Sequence, residues 1–143
     1  MTFDPRTIGK PVYEALDGLR KQQEEKERNQ DRLKERLKEQ KNQAIELYTY
    51  LSTWGMMRLK AEEKAFSQDK PGKKEVVRKY FECLQTLSKW EGNSIENLAS
   101  ERGLEILKDL STDEYLGLTG LGLALAQEFS FWASAVYLDI KGE

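Results

Sequence analysis

From Val12 to Leu51 the chain runs forty residues with no proline and a single glycine, Gly18. Nothing along it forces a helix to stop, and its middle is built almost wholly from Glu, Lys, Arg and Gln, all strong helix formers. Val12, Leu16 and Leu19 recur at helical spacing; between Arg20 and Gln43 only Leu33 and Leu37 are apolar. Pairs such as Glu24 and Arg28 stand four residues apart, where they support one another on a helix surface. The pattern predicts a long, charged and mostly solvated N-terminal helix over residues 20–43. Two uses of it stay open. It is a coiled-coil-like projection, or it is a nucleic-acid surface: Arg20, Lys21, Lys26, Arg28, Arg32, Lys34, Arg36, Lys38 and Lys41 outnumber six carboxylates in the same window. The acids are interspersed, whereas a dedicated phosphate track segregates its charge. True heptads are also missing.

The remainder reads as helix throughout, with no alternating strand pattern. Residues 1–9 hold Pro5 and Gly9 and read as a flexible N-terminal arm, with Pro11 suited to a first helical turn. Ala44, Leu47, Tyr48 and Leu51 lie on one stripe, which Trp54, Met57, Leu59 and Ala61 carry towards Phe66, and Gly55 marks either a kink or a place where another helix comes close. Residues 67–74, SQDKPGKK, form the clearest loop. Val76, Val77, Tyr80, Phe81, Leu84 and Leu87 make the apolar side of the next helix. A turn is expected at Glu91-Gly92-Asn93. Ser94 then opens a helix through Ile95, Leu98, Ile106 and Leu107 that Gly103 interrupts. Ser111 or Thr112 caps a last helix to about Leu138, Glu114 completing a capping box with Ser111. The expected fold is all-α, a bundle of about five helices, with residues 10–143 as a single domain.

The stretch GLTGLGLALA, residues 117–126, resembles a phosphate-binding loop at first sight. A dinucleotide cradle needs G-x-G-x-x-G between a strand and a helix. Here the order is G-x-x-G-x-G, no strand precedes it and the lysine of a P-loop is absent. A helix accounts for more of the residues: Tyr115, Leu116, Leu123 and Phe131 are expected to fill one face, and Gly117, Gly120 and Ala124 to form a groove for a neighbouring helix. Glycine costs about 1 kcal/mol against alanine inside a helix, so close packing must offset it. Phe129, Phe131, Trp132 and Tyr137 exceed what a small core needs, which suits presentation of some of them to a partner protein.

Composition removes whole classes of chemistry. The chain has no histidine, and with it go the commonest general base, the commonest metal ligand and the Ser-His-Asp and Cys-His arrangements. Cys83 is the one cysteine, so no internal disulfide forms; it reads as a small structural residue in a reducing cytoplasm. No run approaches a membrane span. Glu62 and Glu63 point to different sides of a helix and lack a matched partner for acid–base work. A non-enzymatic protein with no metal and no cofactor is expected. The net charge of −2 is unevenly spread, residues 1–90 carrying +5 and residues 91–143 carrying −7. One side facing a polyanion is the implication.

The run STDEYLGLTGLGLALAQEFSFWASAVY resembles the last helix of the small all-helical subunits of type III CRISPR effector complexes. The resemblance lies in an acidic turn at Asp113 and Glu114, Tyr115, the pair Leu118 and Thr119, and the late Trp132 and Ala133. More loosely, YLSTWGMMRLKAEEKAF is similar to the segment in which that family places a glycine before a helix ending in basic residues. The resemblance implies a non-catalytic subunit that stacks with further copies of itself along guide RNA and target RNA, among other subunits of the effector complex. It implies that Lys and Arg hold RNA phosphates. The chain departs from the family at Phe131-Trp132-Ala133-Ser134, which is neutral where basic residues are common, and in the length of its charged helix. The candidates for RNA contact are the bases beside packed elements: Lys41, Arg58, Lys60, Lys64, Lys73, Lys74, Arg78 and Lys79. From Arg58 to Lys79 eight bases face four acids. The competing class is a helical adaptor that binds only other proteins.

Overall fold

A computed structural model of the chain describes residues 6–90 and 95–141. Among the described residues six helices follow one another: α1 (Arg6–Lys26), α2 (Gln30–Trp54), α3 (Met56–Asp69), α4 (Pro71–Trp90), α5 (Gly103–Asp109) and α6 (Thr112–Val136). Among the described residues there is no strand. The fold is a helical bundle in which α6 packs on α1, α2 and α4, while α3 lies between α4 and α5. No described helix is long and apolar enough to cross a membrane.

The expected single charged helix is two helices. The chain leaves α1 at Lys26 and starts α2 at Gln30, with Asn29 as cap: its side chain accepts from the Arg32 N–H at 3.1 Å. The reason is burial. Leu37, Gln40, Gln43, Ala44, Leu47 and Leu51 are all buried along α2, a stripe at spacings of three and four that two glutamines disguise as polar. A continuous helix would carry that stripe away from the body; the break folds α2 back so that it packs on α4 and α6. Gln40 stays inside because both ends of its amide are satisfied. Tyr137 Oη donates to its Oε1 at 2.6 Å, and its Nε2 donates to Glu75 at 3.1 Å.

The N-terminal arm is also corrected where it is described. Residues 1–5 lie outside the described residues, but α1 is helical from Arg6, with Pro11 inside it. Gly9 is buried against α6: a Cβ there would lie 3.2 Å from Glu128 Oε1 and 3.3 Å from Trp132 Nε1. The loop expected over 67–74 shrinks to Lys70. Pro71 opens α4, where a missing N–H is no loss. The next residue, Gly72, donates its N–H to Glu39 at 2.9 Å and leaves no room for a side chain against α2. Gly103 begins α5 and does not interrupt a longer helix; residues 96–102 are turns. The expected turn at 91–93, and Ser94, lie outside the described residues.

The capping box of α6 is present. Ser111 Oγ accepts from the Glu114 N–H at 3.1 Å and the Ser111 N–H donates to Glu114 at 3.0 Å. The face that α6 buries differs from the expected one, however. Leu118, Gly122, Leu125, Ala126, Phe129 and Ala133 point inward, whereas Leu116 and Phe131 are 62% and 63% exposed. Gly117 and Gly120 have nothing near the place of a Cβ, so they form no occupied groove. Gly122 is the glycine the packing requires: a Cβ there would stand 2.6 Å from Tyr80 Oη and 2.5 Å from Met56 Cε. Tyr80 fills that space and donates to the Gly122 carbonyl at 2.9 Å, its ring edge-on to Phe81 and Phe129. Burial drives the Tyr80 phenol far above its ordinary pKa, so it remains a donor.

Candidate nucleic-acid interface

The sequence scatters its bases along α2, α3 and α4, and the fold sorts them. Lys60 and Lys64 on α3 and Lys74 and Arg78 on α4 line one open groove of about 600 Å³. Its far wall is Ala99, Ser100, Glu101 and Leu104, from the turn before α5 and α5 itself. Two carboxylates, Glu63 and Glu101, also line it, so the four bases leave the groove net positive.

The bases do not stand alike. Lys60 is 5% exposed, and its ammonium donates to Glu63 Oε1 at 2.9 Å and lies 4.7 Å from the centre of the Phe81 ring. Arg78 Nε stands 3.9 Å from the other oxygen of Glu63. One carboxylate therefore lies between two cations, and Lys60 meets the groove as the anchor of Glu63. Lys64 and Arg78 are exposed and Lys74 is half-buried, so the three present positive charge to the groove, Arg78 from beside Glu63.

The far wall owes its position to three local features. Leu98 is fully buried, and the Ala99 N–H donates to Gln85 Oε1 at 3.0 Å. Asn97 takes φ of 66°, a left-handed turn that asparagine tolerates. At Gly103 a Cβ would fall 2.2 Å from the Leu98 carbonyl oxygen and 2.4 Å from Lys60 Cε. Only glycine brings α5 onto Lys60. Sequence reading missed this wall; the pairing of Asn97 with Gly103 around a buried Leu98 was its one signal.

The other four candidates lie elsewhere. Arg58 stacks its guanidinium 4.2 Å over the Trp54 ring at the corner of α2 and α3. Lys79 pairs with Glu82 at 3.2 Å on the side of α4 that faces Glu14 and Ala15. Lys73 precedes Lys74 and so sits about 100° round the helix from it. Lys41 donates to the Ile140 carbonyl and holds the C-terminal turn. Arg20, from the charged stretch, holds the same turn: it donates to the Val136 carbonyl at 2.8 Å and to Asp139 at 2.7 Å. That partner holds the Asp139 carboxyl at about 2, well below its ordinary value. Lys34 and Lys38 border a second depression with Asp139, Ile140 and Lys141.

Cys83 is half-buried and its thiol is pushed up to about 11, chiefly by desolvation, which makes it a poor nucleophile. No cluster of three or more metal-ligating side chains occurs among the described residues. No family model, curated protein or solved structure matches the chain.

Proposed function

We propose that the chain is a non-catalytic RNA-binding subunit, of the kind its C-terminal helix resembles: a small subunit of a type III CRISPR ribonucleoprotein. Its partners are then guide RNA and target RNA, other subunits of the complex and further copies of itself. The observation that carries the proposal is the convergence of Lys60, Lys64, Lys74 and Arg78, from two helices, on one groove. Lys64, Lys74 and Arg78 hold phosphates there, and Lys60 fixes Glu63 so that Arg78 is aimed. Such contacts position a strand without reading its sequence, which suits a complex in which base pairing does the reading.

Filter binding of single-stranded RNA across a salt series tests it. Reversing Lys64, Lys74 or Arg78 to Glu lowers affinity, and the salt slope falls by about 0.7 for each phosphate no longer held. Unchanged binding in the triple variant, or the absence of RNA crosslinks to this groove in an assembled complex, refutes the proposal.

The second reading is a helical adaptor that binds only proteins. It is favoured by the outer face of the C-terminal region, where Leu116, Phe131 and Leu138 stand in water with Gly117 and Gly120 open between the first two. That reading expects assembly that is insensitive to salt and no RNA affinity to lose.

A further inference from the structure

At the corner between α2 and α3 the chain carries an indole in water. Trp54 ends α2 and is 54% exposed. Gly55 turns the backbone with φ of 88°, a left-handed conformation that favours glycine, and α3 starts at the next residue. The turn brings Arg58 back over the indole, its guanidinium carbon 4.2 Å from the ring centroid. The corner is fastened from behind by the Met57 N–H, which donates to Tyr115 Oη at 3.2 Å.

An indole more than half exposed, with a guanidinium stacked over one face, suits a nucleobase laid against the ring surface the arginine leaves open, the cation facing the phosphate attached to that base. α3 links this corner to the groove. Arg58 and Lys64 are six residues apart, about 9 Å along the helix axis. Ala61 and Ala65 are both exposed between and beside them, and their small side chains leave room for a strand there.

We infer that Trp54, with Arg58, is a stacking platform for one unpaired nucleobase of a strand whose phosphates lie in the groove of Lys64, Lys74 and Arg78. The inference rests on the RNA-binding function proposed above and narrows its ligand to single-stranded RNA. A base inside a duplex has both faces covered by its neighbours and cannot reach the indole. Stacking of this kind takes any base, because every base has a π-face.

The test titrates the full chain with an oligoadenylate RNA and with a ribose-phosphate strand of equal length that lacks bases. The native protein prefers the base-bearing strand by about fivefold or more. Trp54→Ala abolishes that preference, Trp54→Phe keeps part of it, and neither changes the salt slope. Should Trp54→Ala unfold, Trp54→Leu, which keeps apolar contact and lacks the π-face, reads the same difference. Equal binding of the two strands by the native protein, or a preference that survives Trp54→Ala, overturns the platform and leaves the groove standing. Failure of both strands to bind overturns the groove and the platform with it. If Trp54→Ala binds both strands as the native protein does but no longer assembles with its partner proteins, the corner is a protein-docking surface and the platform is overturned.

Discussion

Lys60 donates to Glu63 at 2.9 Å, one turn apart on α3, with side chains only 5% and 10% exposed. A buried pair of this kind adds little over an apolar pair, but breaking it strands a charge. Glu63→Ala is expected to destabilise the chain by about 3 kcal/mol, while the double replacement Lys60→Met, Glu63→Leu stays close to the native value. Urea midpoints decide it. A harmless single replacement shows that Lys60 is solvated in the groove and refutes its role as an anchor.

The grouping of bases predicts which charge reversals matter for RNA. Lys64→Glu, Lys74→Glu and Arg78→Glu each weaken binding, and their salt slopes drop. Lys73→Glu and Lys79→Glu lie outside the groove and affect affinity less. Isotherms at several salt concentrations check the contrast; equal losses at all five positions refute the groove as a site and indicate attraction by net charge alone.

The glycines are expected to split by position. Gly117→Ala and Gly120→Ala meet open space and remove backbone freedom from the unfolded chain, so each stabilises by about 0.5–1 kcal/mol. Gly122→Ala collides with buried Tyr80, and Gly103→Ala with the Leu98 carbonyl; these destabilise by about 1–3 kcal/mol. Thermal melting of the four variants tests the division. A fall in melting temperature for Gly117→Ala or Gly120→Ala means that the outer face of α6 is packed in solution, as the protein-adaptor reading requires.

Asn29 gives a test of sign. As the cap of α2 it is worth about 1 kcal/mol, so Asn29→Ala destabilises. Within one continuous helix the same replacement would stabilise, because alanine is the better helix former. The direction of the change alone separates a broken from an unbroken charged segment.

Arg20 stabilises the ionised form of Asp139, whose carboxyl sits at about 2 against an ordinary 3.8. A depressed folded-state value means that the contribution is fully present above pH 4 and fades as pH falls towards 2. Native and Asp139→Asn chains are therefore expected to differ in stability at pH 6 and to converge near pH 2. The carboxylate is mostly in water, so the difference is small. A constant gap down to pH 2 shows that the C-terminal turn is held by the Arg20 bond to the Val136 carbonyl instead.

The features legible in the chain alone are local ones. Helical character, the absence of strand alternation and the Ser111–Glu114 box depend on neighbours within one turn and agree with the described residues. The buried face of α4, from Val76 to Leu87, belongs with them. The stripe expected to run on through Tyr48, Trp54, Met57 and Ala61 is exposed, because those side chains turn away from the helices that α2 and α3 pack on. Pairing across the bundle is legible only once the helices are assembled. Gln40 counts as polar until Tyr137 and Glu75 satisfy its amide. Pro71-Gly72 reads as a loop until Glu39 takes the glycine N–H. Lys60 and Arg58 look alike until Glu63 and Phe81 draw one inward and Trp54 holds the other at the surface. α6 has small or apolar residues on nearly every side, so its own pattern does not choose a face; Tyr80 chooses it by needing the space beside Gly122. A polar or glycine position takes its meaning from the group across from it, and that group is fixed only when distant segments meet.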